Sequence, residues 1–91
     1  MPERTVRIVN KAGLHARPAA EIVKLASRYK ETEITVVRDD LEVNGKSIMG
    51  VMMLAAECGS SITIRADGPD AEQAATALAN LVATGFGETV Q

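Results

Sequence analysis

The chain has 91 residues, enough for one small domain, and its 46% hydrophobic and 24% charged residues exclude intrinsic disorder. With 14 alanines, one tyrosine, one phenylalanine and no tryptophan, the core must be closed by Ile, Val, Leu and Met, and an enclosed catalytic cavity is not expected. The net charge of −2 and the two aromatic residues exclude general nucleic-acid affinity and a base-stacking platform.

Charge is unevenly placed along the chain. Residues 1–30 hold seven Lys/Arg against two Glu, a net of +5, and residues 31–91 hold three against ten acidic residues, a net of −7. The first third is therefore suited to acidic partners or an anion, met in fast, salt-sensitive encounters. The start of the chain lacks an apolar signal core, and no run approaches the ~18 residues of a membrane span. A cytoplasmic location, no membrane insertion and a monomer are the expectations.

The first strand is marked by Val6 and Ile8 alternating with Thr5 and Arg7. After it comes Gly13-Leu14-His15-Ala16-Arg17-Pro18-Ala19, where a helix is predicted to begin at or just after His15. Pro18 suits a first turn, whose N–H groups lack intrahelical partners in any case. The N–H groups of Ala16 and Arg17 then form an anion site beside the imidazole, on the positive end of the helix dipole. The Arg17 guanidinium can fork onto phosphate oxygens, and Gly13 permits a positive φ or a close backbone approach. A neutral imidazole is a competent nucleophile near pH 7. These parts suit a histidine that accepts and gives up a phosphoryl group, with Arg17 stabilising its charge. The only carboxylate nearby in sequence is Glu21, so nothing local recruits a hydrolytic water. From spacing alone, a surface histidine ending a loop beside a solvated Arg17 fits equally well.

Ala19, Ile22, Val23 and Ala26 continue the first helix at three- and four-residue steps. Two strands follow, around Ile34–Val37 and Leu41–Val43, with Asp39-Asp40 as a tight hairpin connection. Gly45-Lys46-Ser47 resembles the end of a P-loop, but that motif requires glycine where Asp40 stands, which excludes nucleotide binding. Ser47 is instead the expected N-cap of a short second helix holding Met49 to Leu54. A phosphate on such a cap would place about −2 of charge at a favourable helix end. That helix is too short to bury all its apolar residues, so Ile48, Met49 and Met52 are expected outside as an apolar patch, with Met53 left to the core.

Cys58 is the only cysteine and His15 the only histidine, which excludes an internal disulfide and any Cys- or His-based metal centre. Cys58 is expected to be a small turn or buried residue. Ile62 and Ile64 alternate in a fourth strand. Asp70 is expected to cap a last helix together with Gln73, and Gly85 to stop it. The order β-α-β-β-α-β-α predicts a two-layer α+β domain with helices on one face of the sheet, filling residues 1–91.

The segment around His15 together with Lys46-Ser47-Ile48-Met49-Gly50-Val51-Met52 closely resembles HPr, the histidine-containing phosphocarrier family of the phosphoenolpyruvate-dependent sugar phosphotransferase system. The resemblance runs from Arg4 to about Gly87. It implies an open-faced sandwich, a four-stranded antiparallel sheet covered on one face by three helices. It also implies a stoichiometric carrier with no cofactor and no metal, whose His15 takes phosphate on Nδ1 from phospho-Enzyme I and passes it to enzyme IIA proteins. Arg17 matches the residue that neutralises the phosphoryl group. Ser47 matches a regulatory site of the HPr kinase/phosphorylase. Ile48, Met49 and Met52 match the partner-binding patch, with Lys24 on the neighbouring helix face. Ala20 stands where many members have a hydroxyl residue, and one extra residue lies before Ser47, near Tyr29–Thr32. His15 separates the chain from the catabolite-repression homologue that lacks it. An HPr-like regulator of transcription or kinases, with no role in sugar uptake, is the alternative reading.

Overall fold

The computed structural model describes residues 1–88. Chain order is β1 (Glu3–Arg7), α1 (Ala16–Ala26), β2 (Glu33–Arg38), β3 (Leu41–Asn44), α2 (Ile48–Met53), β4 (Ser61–Asp67) and α3 (Ala71–Ala83), ending in a single 3₁₀ turn at Gly85–Gly87. The four strands form one antiparallel sheet in the order β1-β4-β2-β3.

Period-two alternation separates the two faces of this sheet. Ile34, Val36, Ile62, Ile64 and Ala66 are buried on the helix side. On the other side Thr5 Oγ1 lies 3.0 Å from Thr63 Oγ1, and Arg65 binds Glu3 with Glu42 beside it. One apolar and one polar face allow an antiparallel sheet to be covered on a single side. The architecture is thus an α+β open-faced sandwich. Its helices answer with matching stripes: Pro18, Ala19, Ile22 and Ala26 on α1, and Ala71, Ala74, Ala75, Leu78 and Val82 on α3. The alanines let α3 approach the sheet closely, which replaces the bulk that aromatic residues would supply.

The β2–β3 hairpin turns at Asp39-Asp40, and Asp39 takes a φ of +54°, a conformation that short polar residues tolerate. The Ser47 cap forms, with Oγ accepting from the Gly50 N–H at 3.1 Å. The Asp70 cap does not. Asp70 occupies the N-cap position of α3, but its side chain makes no capping bond and Gln73 completes no box. The helix start is held instead from outside, by the Asp70 N–H donating to the buried Thr32 hydroxyl at 3.3 Å. A contact 38 residues away in the chain has displaced the local one.

Met53 also departs from expectation. Val51 and Leu54, three residues apart, face the core, while Ile48, Met49, Met52 and Met53 are all exposed. Met53 precedes Leu54 by one helical step of about 100°, which turns it out of the core stripe.

Candidate functional site

The loop from Ile8 to His15 is fixed before the site begins. Ile8 N–H donates to Ser60 O at 2.8 Å, Gly59 N–H to Ile8 O at 2.8 Å, and Leu14 N–H to Ala56 O at 2.9 Å. Gly13 adopts a φ of +71°, and a Cβ there would lie 2.7 Å from Ala56 O. Glycine is therefore required on two counts, handedness and space. This packing delivers His15 to the N-cap position of α1 in extended conformation, with no side-chain cap of its own. The Ala19 N–H closes the first intrahelical bond onto His15 O at 3.0 Å. No described residue accepts from the N–H groups of Ala16 or Arg17, the two positions following the ring. Pro18 comes next and has no donor, so the first turn offers two directed amides and loses nothing to the proline.

The His15 ring is 43% exposed and the Arg17 side chain 53%. Both meet a residue that no local pattern could supply, Glu88. Its carboxylate lies 3.1 and 3.0 Å from His15 Nε2 and accepts from Arg17 Nη1 at 2.7 Å. A second arginine bond, from Nη2 to Phe86 O at 2.9 Å, ties Arg17 to the same segment. The turn that brings Glu88 here is unusual: Gly85, Phe86 and Gly87 all have positive φ, at +74°, +59° and +74°. Phe86, the sole phenylalanine, is buried and anchors it. Glu21 is the only carboxylate near His15 in sequence, and the carboxylate on the ring comes instead from this fold-back, which spans 73 residues. The one available signal was the Gly-Phe-Gly triplet, which marks a sharp reversal before an acidic residue.

A carboxylate can only accept, so Nε2 is the donor and the neutral ring keeps its lone pair on Nδ1. Among the described residues nothing bonds Nδ1. Burial pushes the Glu88 carboxyl up, but hydrogen bonds from His15, Asn10 and Arg17 outweigh it and hold the group below its ordinary value of 4.5. Because the folded value is the lower one, this bracket is complete above the ordinary value and is lost as pH falls through the depressed one. An NMR titration is expected to show the Glu88 side-chain carboxyl carbon inflecting below 4.5, with the Arg17 side-chain resonances following it. Glu88→Gln should remove that Arg17 response, and a Glu88 carboxyl carbon inflecting at or above 4.5 would contradict the bracket.

Ser47 is half-buried at the head of α2, and Ile48, Met49 and Met52 follow it on the surface, Met49 being 76% exposed. Met53, at 66%, enlarges the apolar area beyond the three residues expected. Lys24 is exposed on α1 and lines a shallow groove with Glu21, Leu25, Arg28 and Leu81, on the side toward α3. Cys58 sits in a turn, with Sγ 3.8 Å from Val9 O and no activating base bonded to it. Among the described residues no three His, Cys, Asp or Glu side chains cluster as metal ligands, and no helix is long and apolar enough to cross a membrane.

His15 and Arg17 stand in the open, on a rigid edge between helix start and loop, where a second protein can reach them. By its geometry this is an open surface site suited to an anionic group. A family model described as the PTS HPr component phosphorylation site matches residues 2–84. The chain is 50% identical over 88 residues to the phosphocarrier protein HPr of Treponema pallidum, covering 97% of this chain and 99% of that one. Identity is 47% over 88 residues, covering 97% and 98%, with the phosphocarrier protein HPr of Cupriavidus necator. Among solved structures, HPr-C-His from Thermoanaerobacter tengcongensis superposes with a TM-score of 0.92 at 46% identity, covering 99% of this chain and all of that one. The chain belongs to the HPr family of phosphocarrier proteins of the phosphotransferase system.

Proposed function

We propose that this chain is a stoichiometric carrier in the cytoplasm, one that takes a phosphoryl group on His15 Nδ1 from phospho-Enzyme I and gives it to enzyme IIA proteins. The observation that carries this reading is the split use of the ring: Nε2 is engaged by Glu88, nothing among the described residues bonds Nδ1, and the side chain is 43% exposed. The Nδ1 lone pair attacks phosphorus in line, the donor's N–P bond breaks, and its electron pair stays on the donor imidazole. Positive charge that develops on the His15 ring is met by Glu88 through Nε2–H, as a carboxylate orients and supports a catalytic imidazole. The phosphoryl oxygens find the Ala16 and Arg17 amides and the guanidinium, two of whose five donors are already committed to Glu88 and Phe86 O. The reaction then runs in reverse order onto the next protein.

Ile48, Met49 and Met52 form an apolar docking patch in this reading, and Lys24, in the groove toward α3, adds a cation to a surface fitted to acidic partners. Lys11, Lys24, Arg28 and Lys30 make no ion pair among the described residues and leave the first third of the chain electropositive. Ser47 is the regulatory site for an ATP-using kinase. The test is incubation with labelled phosphoenolpyruvate and Enzyme I: the label should be acid-labile and alkali-stable, and ³¹P–¹⁵N NMR should place it on Nδ1. An acid-stable label, or phosphorus on Nε2, would overturn the proposal.

A further inference from the structure

Asn10 is fully buried, polar, and outside both motifs. Its amide nitrogen donates to Gly13 O at 2.8 Å and to Glu88 Oε1 at 3.0 Å. Both donors of the amide are thus spent, and both on acceptors, so the opposite orientation would set Oδ1 against two oxygens. In the orientation adopted, Oδ1 is buried with no partner among the described residues. An interior amide that leaves its acceptor unsatisfied is held there for its donors.

The two acceptors converge on the same residue. Gly13 O also accepts the His15 backbone N–H at 3.0 Å, and Glu88 is the group on His15 Nε2. Asn10, Gly13, His15 and Glu88 therefore close a ring of hydrogen bonds that grips the histidine by backbone and by side chain. The Asn10 carbonyl adds a third tie, accepting from Gly13 N–H at 3.1 Å. We infer that Asn10 is a positioning residue for phosphoryl transfer: its side-chain amide holds the Gly13 carbonyl and the Glu88 carboxylate in place, and so keeps Nδ1 the bare nitrogen. Its consequence for transfer rests on His15 being the acceptor. Arg17 alone cannot do this work, because it is half exposed and binds only the other oxygen of Glu88.

The test compares the full chain with Asn10→Leu, similar in volume but without donors, with Glu88→Gln, and with the double variant. In ¹⁵N NMR of the ring, the ratio of the Nδ1–H to the Nε2–H tautomer should rise about tenfold in folded Asn10→Leu, as a charge-assisted bond loosens. In the tautomer ratio the double variant should add nothing to the Glu88→Gln change, since the amide reaches Nε2 only through that carboxylate, its bond to Gly13 O acting on the His15 backbone. Transfer from phospho-Enzyme I should fall about tenfold in kcat with KM unchanged, the mark of misorientation without loss of docking. An unaltered tautomer ratio in folded Asn10→Leu overturns the inference, whatever happens to the rate. If that variant does not fold, the unaltered protein decides: an Asn10 side-chain amide proton should shift as Glu88 is protonated, and an insensitive one overturns the inference. These NMR readouts involve no phosphate. A parent protein that takes up no label would count against the carrier reading, whereas the state of the ring bears on Asn10 separately.

Discussion

His15→Ala is expected to lose phosphoryl uptake completely while the fold survives. The chain has no second histidine to take over, and the nearest amides and guanidinium would stabilise a phosphoryl group without supplying a nucleophile. The fold should hardly notice, because the ring is 43% exposed and, among the described residues, its polar contacts run only to Glu88. Glu88 keeps Arg17 and Asn10 as donors after the ring is gone. The change in unfolding free energy should stay below about 1 kcal/mol, as at other surface positions. Urea unfolding with the phosphoenolpyruvate assay checks both halves together. Acid-labile label remaining on the alanine variant would move the chemistry to another residue and end the proposal for His15.

Negative charge at Ser47 should cut transfer from Enzyme I by about 10-fold as Ser47→Asp and by about 100-fold as phosphoserine, several kcal/mol of like-charge repulsion being available at an interface. The charge would stand immediately before Ile48 and Met49, at the edge of the exposed apolar patch. It would meet partners selected for a basic surface. The fold itself should accept it, since Ser47 Oγ already receives the Gly50 N–H at 3.1 Å, and aspartate caps helices as well as serine does. Ser47→Ala gives the contrast. It should cost about 1 kcal/mol of stability through the lost cap and leave transfer unchanged. Steady-state rates for the three forms, with melting curves, separate charge from capping. Equal rates for the unmodified and phosphorylated proteins would remove Ser47 from regulation.

The local parts of this molecule were legible because their causes lie within a few residues. Alternation at Ile62 and Ile64, the serine ahead of a short apolar helix, the aspartate pair in the hairpin, and Gly13 before His15 each act through bonds or periods of two to four residues. The His15–Arg17 segment belongs to this kind, since a helix start creates its own unpaired amides. What the sequence left open was decided over long separations. Asp70 surrendered its capping role to Thr32, and Met53 turned outward because α2 lies on the core along only one stripe.

The largest difference lies at the imidazole. The amino-acid order by itself singled out His15 as the candidate nucleophile and the start of the first helix as the candidate anion site. Only the tertiary structure decided which ring nitrogen is bare, because that depends on Glu88 and Asn10, held 73 and five residues away from His15 in sequence by a left-handed turn and a buried amide. A histidine's tautomer is set by the partner of its other nitrogen, and here that partner arrives only when the end of α3 folds back across the start of α1.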